Sequence, residues 1–102
     1  MANIVIDSKT YGDTTELILD GRLDVRAAKE AEEVFAEAAA TSPNIVLEMS
    51  NLVYVASGGL RAIKRLKKLV SANGGTLVLR NVCEDVMEIF DMTGFTAMLT
   101  FE

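Results

Sequence analysis

The spacing of hydrophobic positions changes several times along the chain, and each change marks a predicted element. Two runs rich in β-formers come first, at residues 4–6 and 15–19. The intervening Tyr11-Gly12-Asp13 predicts a turn, because glycine tolerates positive φ and aspartate bonds to its own backbone. We therefore expect the first two strands to pair as a hairpin.

Helical and strand-like spacing alternate in the rest of the chain. Asp24 is a predicted N-cap for a helix of about fifteen residues, which ends before Pro43. Residues 45–47 form a short apolar run that is typical of a buried strand. A second helix is predicted over residues 58–70, and Gly74 follows its end as a stop signal.

The second helix is amphipathic, with a predicted inner face of Leu60, Ile63, Leu66, Leu69 and Val70. A strand at 76–79, a helix at 84–92 and a short strand at 98–101 complete the pattern. Parallel strands joined by helices require right-handed crossovers, which place helices on at least one face of the sheet. The predicted fold class is α/β with a mixed sheet.

Composition sets the size and class of the protein. The chain has 102 residues, 50% of them hydrophobic and 25% charged, which predicts one packed domain over residues 1–102. A single cysteine, Cys83, cannot form an internal disulfide. No histidine is present, which excludes histidine-based triads and metal sites. We therefore expect no metal and no cofactor.

The cellular location of the protein and the classes of partner it can bind are predicted from two further features. No apolar run approaches the length that spans a bilayer, and no signal peptide is visible, so a cytoplasmic protein without membrane contact is expected. The net charge of −5 argues against nucleic acid as a partner.

The charges are nevertheless unevenly distributed. The second predicted helix carries a cluster of cations: Arg61, Lys64, Arg65, Lys67 and Lys68. The first carries a cluster of acids: Glu30, Glu32, Glu33 and Glu37. The basic face is either an ordinary solvated surface or a surface that meets an acidic partner.

Ser57 lies at or next to the start of the second helix, where free backbone N–H groups and the helix dipole favour negative charge. One interpretation is an N-cap serine, which contributes about 1 kcal/mol relative to alanine. The other is a phosphoacceptor, since a phosphate there fits the helix terminus without remodelling the fold.

The residues around Ser57 also have two interpretations. Gly58 and Gly59 indicate either a tight turn with close strand–helix packing or a loop that cradles phosphate, although no P-loop lysine follows them. Asp20 and Glu48 lie at predicted strand ends, where sites often form. Without a nucleophile–base pair, solvated or hydrogen-bonded carboxylates are favoured over catalytic ones.

Several segments, in order, resemble the motifs of one family. Residues 19–24 resemble its "GrlD" turn, residues 45–50 its "vvlDls" strand and residues 54–60 its "idSsGl" turn, while 74–79 and 93–95 are similar to its tail. The family is that of STAS domains, the bacterial anti-sigma factor antagonists. The resemblance covers nearly the whole chain and implies a mixed sheet with helices mainly on one face.

The resemblance implies a function and a set of site residues. Ser57 falls at the position that, in the family, is phosphorylated by an anti-sigma factor that is also a serine kinase of the histidine-kinase-like ATPase class. The unphosphorylated antagonist binds this kinase, the phosphorylated form releases it, and a phosphatase resets the cycle. Implied partner-binding residues are Asp20, Arg22, Asp24, Glu48, Ala56, Gly58, Gly59 and Arg61.

Two positions depart from the family pattern, and other functions stay open. Ala56 replaces the usual Asp or Ser, and Glu48 replaces the usual Asp. The alternatives are a constitutive STAS module for protein interaction or ligand sensing, and a nucleotide or small-ligand binder that uses the amides around Ser57. An enzyme is the least favoured class, because catalytic groups are not assembled.

Overall fold

The computed structural model describes residues 4–102, which form five strands, three α-helices and one short 3₁₀ helix. In chain order they are β1 (Ile4–Tyr11), β2 (Thr14–Leu23), α1 (Val25–Thr41), β3 (Asn44–Val55), α2 (Ser57–Ala72), β4 (Thr76–Arg80), α3 (Glu84–Met92), the 3₁₀ helix (Phe95–Ala97) and β5 (Thr100–Phe101).

The strands form one sheet in the order β1-β2-β3-β4-β5. β1 and β2 form the predicted antiparallel hairpin, and the pairs β2–β3, β3–β4 and β4–β5 are parallel. Each crossover steps in the same direction across the sheet, so right-handed connections place all three α-helices on one face. The predicted mixed α/β sheet is confirmed.

Burial alternates along the strands, as expected for a sheet that is covered on one face. On β3, Ile45, Leu47 and Met49 are fully buried, whereas Val46 and Glu48 between them are half-buried. The buried set continues into the neighbouring strands and the helices above them: Leu17, Leu19, Leu77, Leu79, Phe35, Ile63, Leu66, Val86 and Phe90. The core therefore lies between the sheet and the helical layer.

β2 and β3 extend well beyond their predicted ends. The apolar run predicts that β3 stops after residue 47, but the strand continues to Val55, and β2 continues to Leu23. The pairing skips residues on β3 near Ser50 and again near Val53, which marks bulges. Polar residues at a bulge look like a turn in the sequence, and pairing with β2 is what keeps this segment extended.

The predicted inner face of α2 is wrong at one position. Leu60, Ile63, Leu66 and Val70 are buried, but Leu69 is 43% exposed. Leu69 lies at the edge of the buried face, in a surface depression that it shares with Glu32, Phe35 and Ala36 of α1, so α1 covers it only in part.

No helix within residues 4–102 is long and apolar enough to cross a membrane.

The different burial of two leucines on α2 gives a direct test of the packing. Leu66→Ala should lower the free energy of unfolding by about 2–5 kcal/mol, because it opens a cavity in the core. Leu69→Ala is the matched control and should change it by less than about 1 kcal/mol. Urea denaturation of both variants measures the difference, and equal losses would contradict the packing described here.

Candidate functional site

The candidate site lies where the carboxyl ends of β2 and β3 meet the first turns of α1 and α2. Leu23 pairs with Val55 at the end of the sheet. The next backbone N–H, that of Ala56, donates to the Leu23 carbonyl at 2.9 Å. A helix follows each of these strands, α1 after β2 and α2 after β3. The starts of α1 and α2 therefore lie side by side at one edge of the molecule.

Ser57 is the first residue of α2, and Ala56 is its N-cap. Ala56 has extended backbone angles (φ −94°, ψ 173°), and its carbonyl accepts from the Leu60 N–H at 3.0 Å. The interpretation of Ser57 as the N-cap is therefore wrong. Its side chain is exposed, and its hydroxyl makes no hydrogen bond to any residue of the described part of the chain.

An alanine N-cap leaves the first turn of α2 without a side-chain acceptor. The first N–H groups of any helix lack intrahelical partners and carry the positive end of the dipole. An anionic group attached at Ser57 would meet these donors, because it would be bonded to the first helical residue itself.

The two glycines after Ser57 bring α2 close to β2 and α1. A Cβ atom on Gly59 would lie 2.7 Å from both the carbonyl oxygen and Cγ of Leu23, which no side chain tolerates. A Cβ on Gly58 would lie 3.3 Å from the Ala28 Cβ. Both glycines are buried within α2. The prediction of close strand–helix packing is confirmed, although the glycines belong to the helix and not to a turn.

Three predicted site residues carry charges beside this junction. Asp24 is the N-cap of α1, as predicted, and its Oδ1 accepts from the Ala27 N–H at 2.9 Å. The guanidinium of Arg22 lies 4.5 Å from the centroid of the Tyr54 ring. Arg61 bends back along α2, which brings its Nη2 within 4.0 Å of the position of a Cβ on Gly58.

Exposed apolar side chains surround the charges, and the sequence reasoning missed them as site residues. Val25 is 70% exposed, Val53 56% and Tyr54 36%. Val25 starts α1 beside Gly58, while Val53 and Tyr54 lie just before Val55, the last residue of β3. Clustered exposed apolar residues are typical of protein contact surfaces. The sequence did carry a signal, because Val53 and Tyr54 are adjacent apolar residues and break the alternation of apolar and polar positions that predicts burial.

Glu48 is held at a different place in the sheet. It lies in the interior of β3, not at its end, opposite Ile18 on β2 and Arg80 on β4. The Asn81 side-chain amide donates to its two oxygens at 3.0 and 3.1 Å, and the Ser50 N–H donates at 3.1 Å. The expectation of a hydrogen-bonded carboxylate is confirmed, and its partners belong to the turn after β4 and to β3.

These contacts set the ionisation of Glu48. Partial burial raises the pKa of its carboxyl group, but the hydrogen bonds from Asn81 and Ser50 and the charge of Arg80 outweigh burial. The pKa therefore lies below its ordinary value of 4.5. Asn81 itself has a positive φ of 57°, a left-handed conformation in which asparagine is enriched.

The predicted site residues thus separate into two groups. One group forms the junction: Arg22, Asp24, Ala56, Ser57, Gly58, Gly59 and Arg61. Asp20 and Glu48 lie earlier in the strands, with Asp20 exposed and opposite Asn51. Within residues 4–102, no three His, Cys, Asp or Glu side chains are placed to hold a metal ion.

Comparisons with known proteins agree with this architecture. The family model described as STAS domain matches residues 5–102. A relative from Bacillus subtilis, the anti-sigma-B factor antagonist, is 28% identical over 90% of this chain and 84% of its own length.

Two solved structures of the anti-sigma factor antagonist SpoIIAA from Bacillus have a similar fold. The unphosphorylated form superposes with a TM-score of 0.83 at 18% identity, over 96% of this chain and 88% of SpoIIAA. The phosphorylated form gives a TM-score of 0.75 at 17% identity, over 96% and 91%. At this level of identity the similarity concerns the fold alone.

The close approach of Gly59 to Leu23 predicts intolerance to any side chain. Gly59→Ala should destabilise the protein by about 1–3 kcal/mol, because the backbone of α2 must move away from β2. Gly58→Ala is the matched control, and it should change stability by less than about 1 kcal/mol, since helix propensity offsets the tighter contact with Ala28. Thermal unfolding of both variants measures this, and a Gly59→Ala variant as stable as Gly58→Ala would refute the contact.

The lowered pKa of Glu48 predicts a pH-dependent contribution to stability. A depressed folded pKa stabilises the native state above the ordinary carboxyl range, and this gain disappears as pH falls through the folded pKa. Wild type should therefore exceed Glu48→Gln in stability at neutral pH, and the gap should narrow as pH falls below the ordinary carboxyl range. Urea midpoints across pH report this gap, which would stay constant if Glu48 were merely solvated.

Proposed function

The chain belongs to the STAS domain family, and from this premise we propose that it is an anti-sigma factor antagonist controlled at Ser57. The unphosphorylated protein binds, in the cytoplasm, an anti-sigma factor that is also a serine kinase of the histidine-kinase-like ATPase class. The sigma factor that the anti-sigma factor had held is thereby released for transcription. Phosphorylation of Ser57 releases the antagonist, and a phosphoserine phosphatase restores it. Its role is binding, without catalysis of its own.

The exposed hydroxyl of Ser57 at the first position of α2 is the observation that carries this proposal. Because this hydroxyl makes no hydrogen bond within residues 4–102, it is available to accept a phosphoryl group, and no capping bond is broken when it reacts. The kinase would transfer the γ-phosphoryl group of ATP to Oγ, with loss of the hydroxyl proton to a base on the kinase and release of ADP. The phosphatase would return the serine by hydrolysis to inorganic phosphate.

The comparisons support both the partner and the switch. The Bacillus subtilis relative is named for antagonism of an anti-sigma factor. SpoIIAA, whose fold this chain shares, exists in an unphosphorylated and a phosphorylated form. By analogy, the fold accommodates both an unphosphorylated and a phosphorylated state.

A phosphate at Ser57 would affect the fold and the partner differently. Toward the domain, the group of about −1.5 to −2 charges meets the free N–H groups of α2 and the nearby guanidinium of Arg61. Toward the partner, the same dianion appears beside the exposed Val25 and Tyr54. An apolar contact there would have to desolvate the phosphate, which is unfavourable unless the partner supplies cations.

The remaining predicted partner-binding residues take different roles in this proposal. Arg22, Asp24 and Ala56 border Ser57 and would contact the kinase directly. Gly58 and Gly59 are buried and would act by holding α2 in place. Asp20 is exposed at the edge of the surface, and Glu48 would act through the turn that contains Asn81.

Affinity capture from the source organism tests the switch. Wild-type and Ser57→Ala baits should retain a histidine-kinase-like ATPase, identified by mass spectrometry. Ser57→Asp should weaken its binding at least tenfold, about 1.4 kcal/mol, because the carboxylate places charge in the contact. Ser8→Asp, the same change at an exposed position of the edge strand β1, is the matched control and should bind like wild type.

The outcome separates the two functions that the sequence left open. Loss of the ATPase with Ser57→Asp alone would establish phosphorylation-controlled partner switching. Capture of the same partners by all four baits would instead establish a constitutive STAS module in which Ser57 has no regulatory role.

A further inference from the structure

The exposed surface of α2 carries charge of a single sign. The helix contains five basic residues and no acidic one, in a chain whose net charge is −5. Four of the cations follow Ser57 at steps of helical periodicity and form one stripe, which we name the α2 stripe: Arg61, Lys64, Arg65 and Lys68. The stripe begins one helical turn after Ser57 and extends from Arg61 to Lys68, about 10 Å along the helix axis.

Most of these cations have no partner in the described part of the chain. Arg65 forms an ion pair with Glu32 of α1 at 2.9 Å. Arg61, Lys64 and Lys68 make neither an ion pair nor a hydrogen bond with any residue in the range 4–102, and all three are exposed. Lys64 and Lys68 are four residues apart, so their like charges oppose helix formation.

The neighbouring helix has a different pattern. On α1, Arg26 precedes Glu30 by four residues, and Lys29 precedes Glu33 by four. Such spacing of opposite charges is typical of a helix surface that is simply solvated. The two helices lie side by side and share the same solvent, so exposure alone does not account for the single sign of the α2 stripe.

We propose that the α2 stripe docks an acidic surface of the partner that binds at Ser57. This inference rests on the proposed function, because it assigns a second part of the same contact. The stripe is continuous with the Ser57 junction, and its charge is complementary only to an anionic surface. Unpaired rim cations of this kind mainly accelerate association and set its salt dependence.

The far end of the stripe offers an apolar contact. Leu69 is 43% exposed and, together with Ala72 and the side chains of Arg65 and Lys68, lines a shallow, mostly apolar depression. The partner surface would therefore be acidic along its length, with an apolar side chain positioned to enter this depression. Contacts at both ends would fix its orientation on α2.

Three other occupants fit the structure less well. A membrane would need the apolar face of α2, which is buried against the sheet through Ile63 and Leu66. Nucleic acid would be repelled by the overall charge of −5. A second copy of the chain offers α1 as its acidic surface, but Arg26 and Lys29 interrupt that surface.

Association kinetics test the proposal, with the anti-sigma factor recovered by wild-type capture as the probe. Lys64→Glu should lower the association rate constant about fivefold or more at about 50 mM salt, and the difference should vanish near 0.5 M. Lys9→Glu makes the same charge change on β1, on an exposed side chain, and should alter the rate by less than about twofold. Lys64→Glu should keep the wild-type melting temperature, because the new carboxylate and Lys68, one helical turn later, form a favourable pair of opposite charges.

These experiments test the α2 stripe independently of the proposed phosphorylation switch at Ser57. Equal association rates for Lys64→Glu and Lys9→Glu would overturn the docking surface, while Ser57→Asp in the same assay would still report on the proposed function. The docking surface would also be overturned if light scattering found a wild-type dimer that Lys64→Glu abolishes. Retention of labelled duplex DNA or anionic vesicles by wild type, but not by Lys64→Glu, would overturn it as well.

Discussion

The contact between Gly59 and Leu23 constrains the site more than any other. The Leu23 carbonyl accepts from the Ala56 N–H at 2.9 Å, and a Cβ on Gly59 would reach within 2.7 Å of the same oxygen. The end of β2 and the start of α2 are therefore separated by backbone alone. This approach fixes the direction of α2 and decides which side of its first turn is exposed.

The constraint divides the first turn of α2 into an inner and an outer side. Gly58 and Gly59 are buried inward, while Ser57 is exposed and its hydroxyl is free of hydrogen bonds to the described residues. A group added to Ser57 can change the surface without entering the core. The α2 stripe starts at Arg61, one turn after Ser57, so a phosphate on Ser57 would lie at one end of a row of cations. The fold thus places the proposed modification and the proposed docking surface on one helix.

Local pattern was sufficient to predict most of the fold. Helical spacing, the Asp24 cap and the glycines after α2 specify where elements begin and end, because these signals act through neighbouring residues. The long course of β3 was missed, since Ser50 and Asn51 resemble a turn and remain extended only through pairing with β2. The exposure of Leu69 was missed for a similar reason, because it depends on how far α1 covers α2.

The candidate site was predictable in its centre but not in its surroundings. Ser57 is recognisable from its sequence context, yet the N-cap role of Ala56 depends on backbone angles that the sequence does not reveal. The hydrogen bonds between Glu48 and Asn81 join residues 33 apart in the chain, so only the folded structure reveals them. The exposed Val25 and Tyr54 became visible only when both helix starts were placed together.

The central claim, that Ser57 is a phosphorylation switch on an intact fold, is tested most directly on the protein isolated from its source. Intact-mass measurement followed by site mapping should find one phosphate, located on Ser57, in a fraction of the molecules. That fraction should melt at or above the temperature of the unmodified protein and should not bind the captured anti-sigma factor. Protein without phosphate under every growth condition, or phosphorylated protein that still binds with full affinity, would contradict the account.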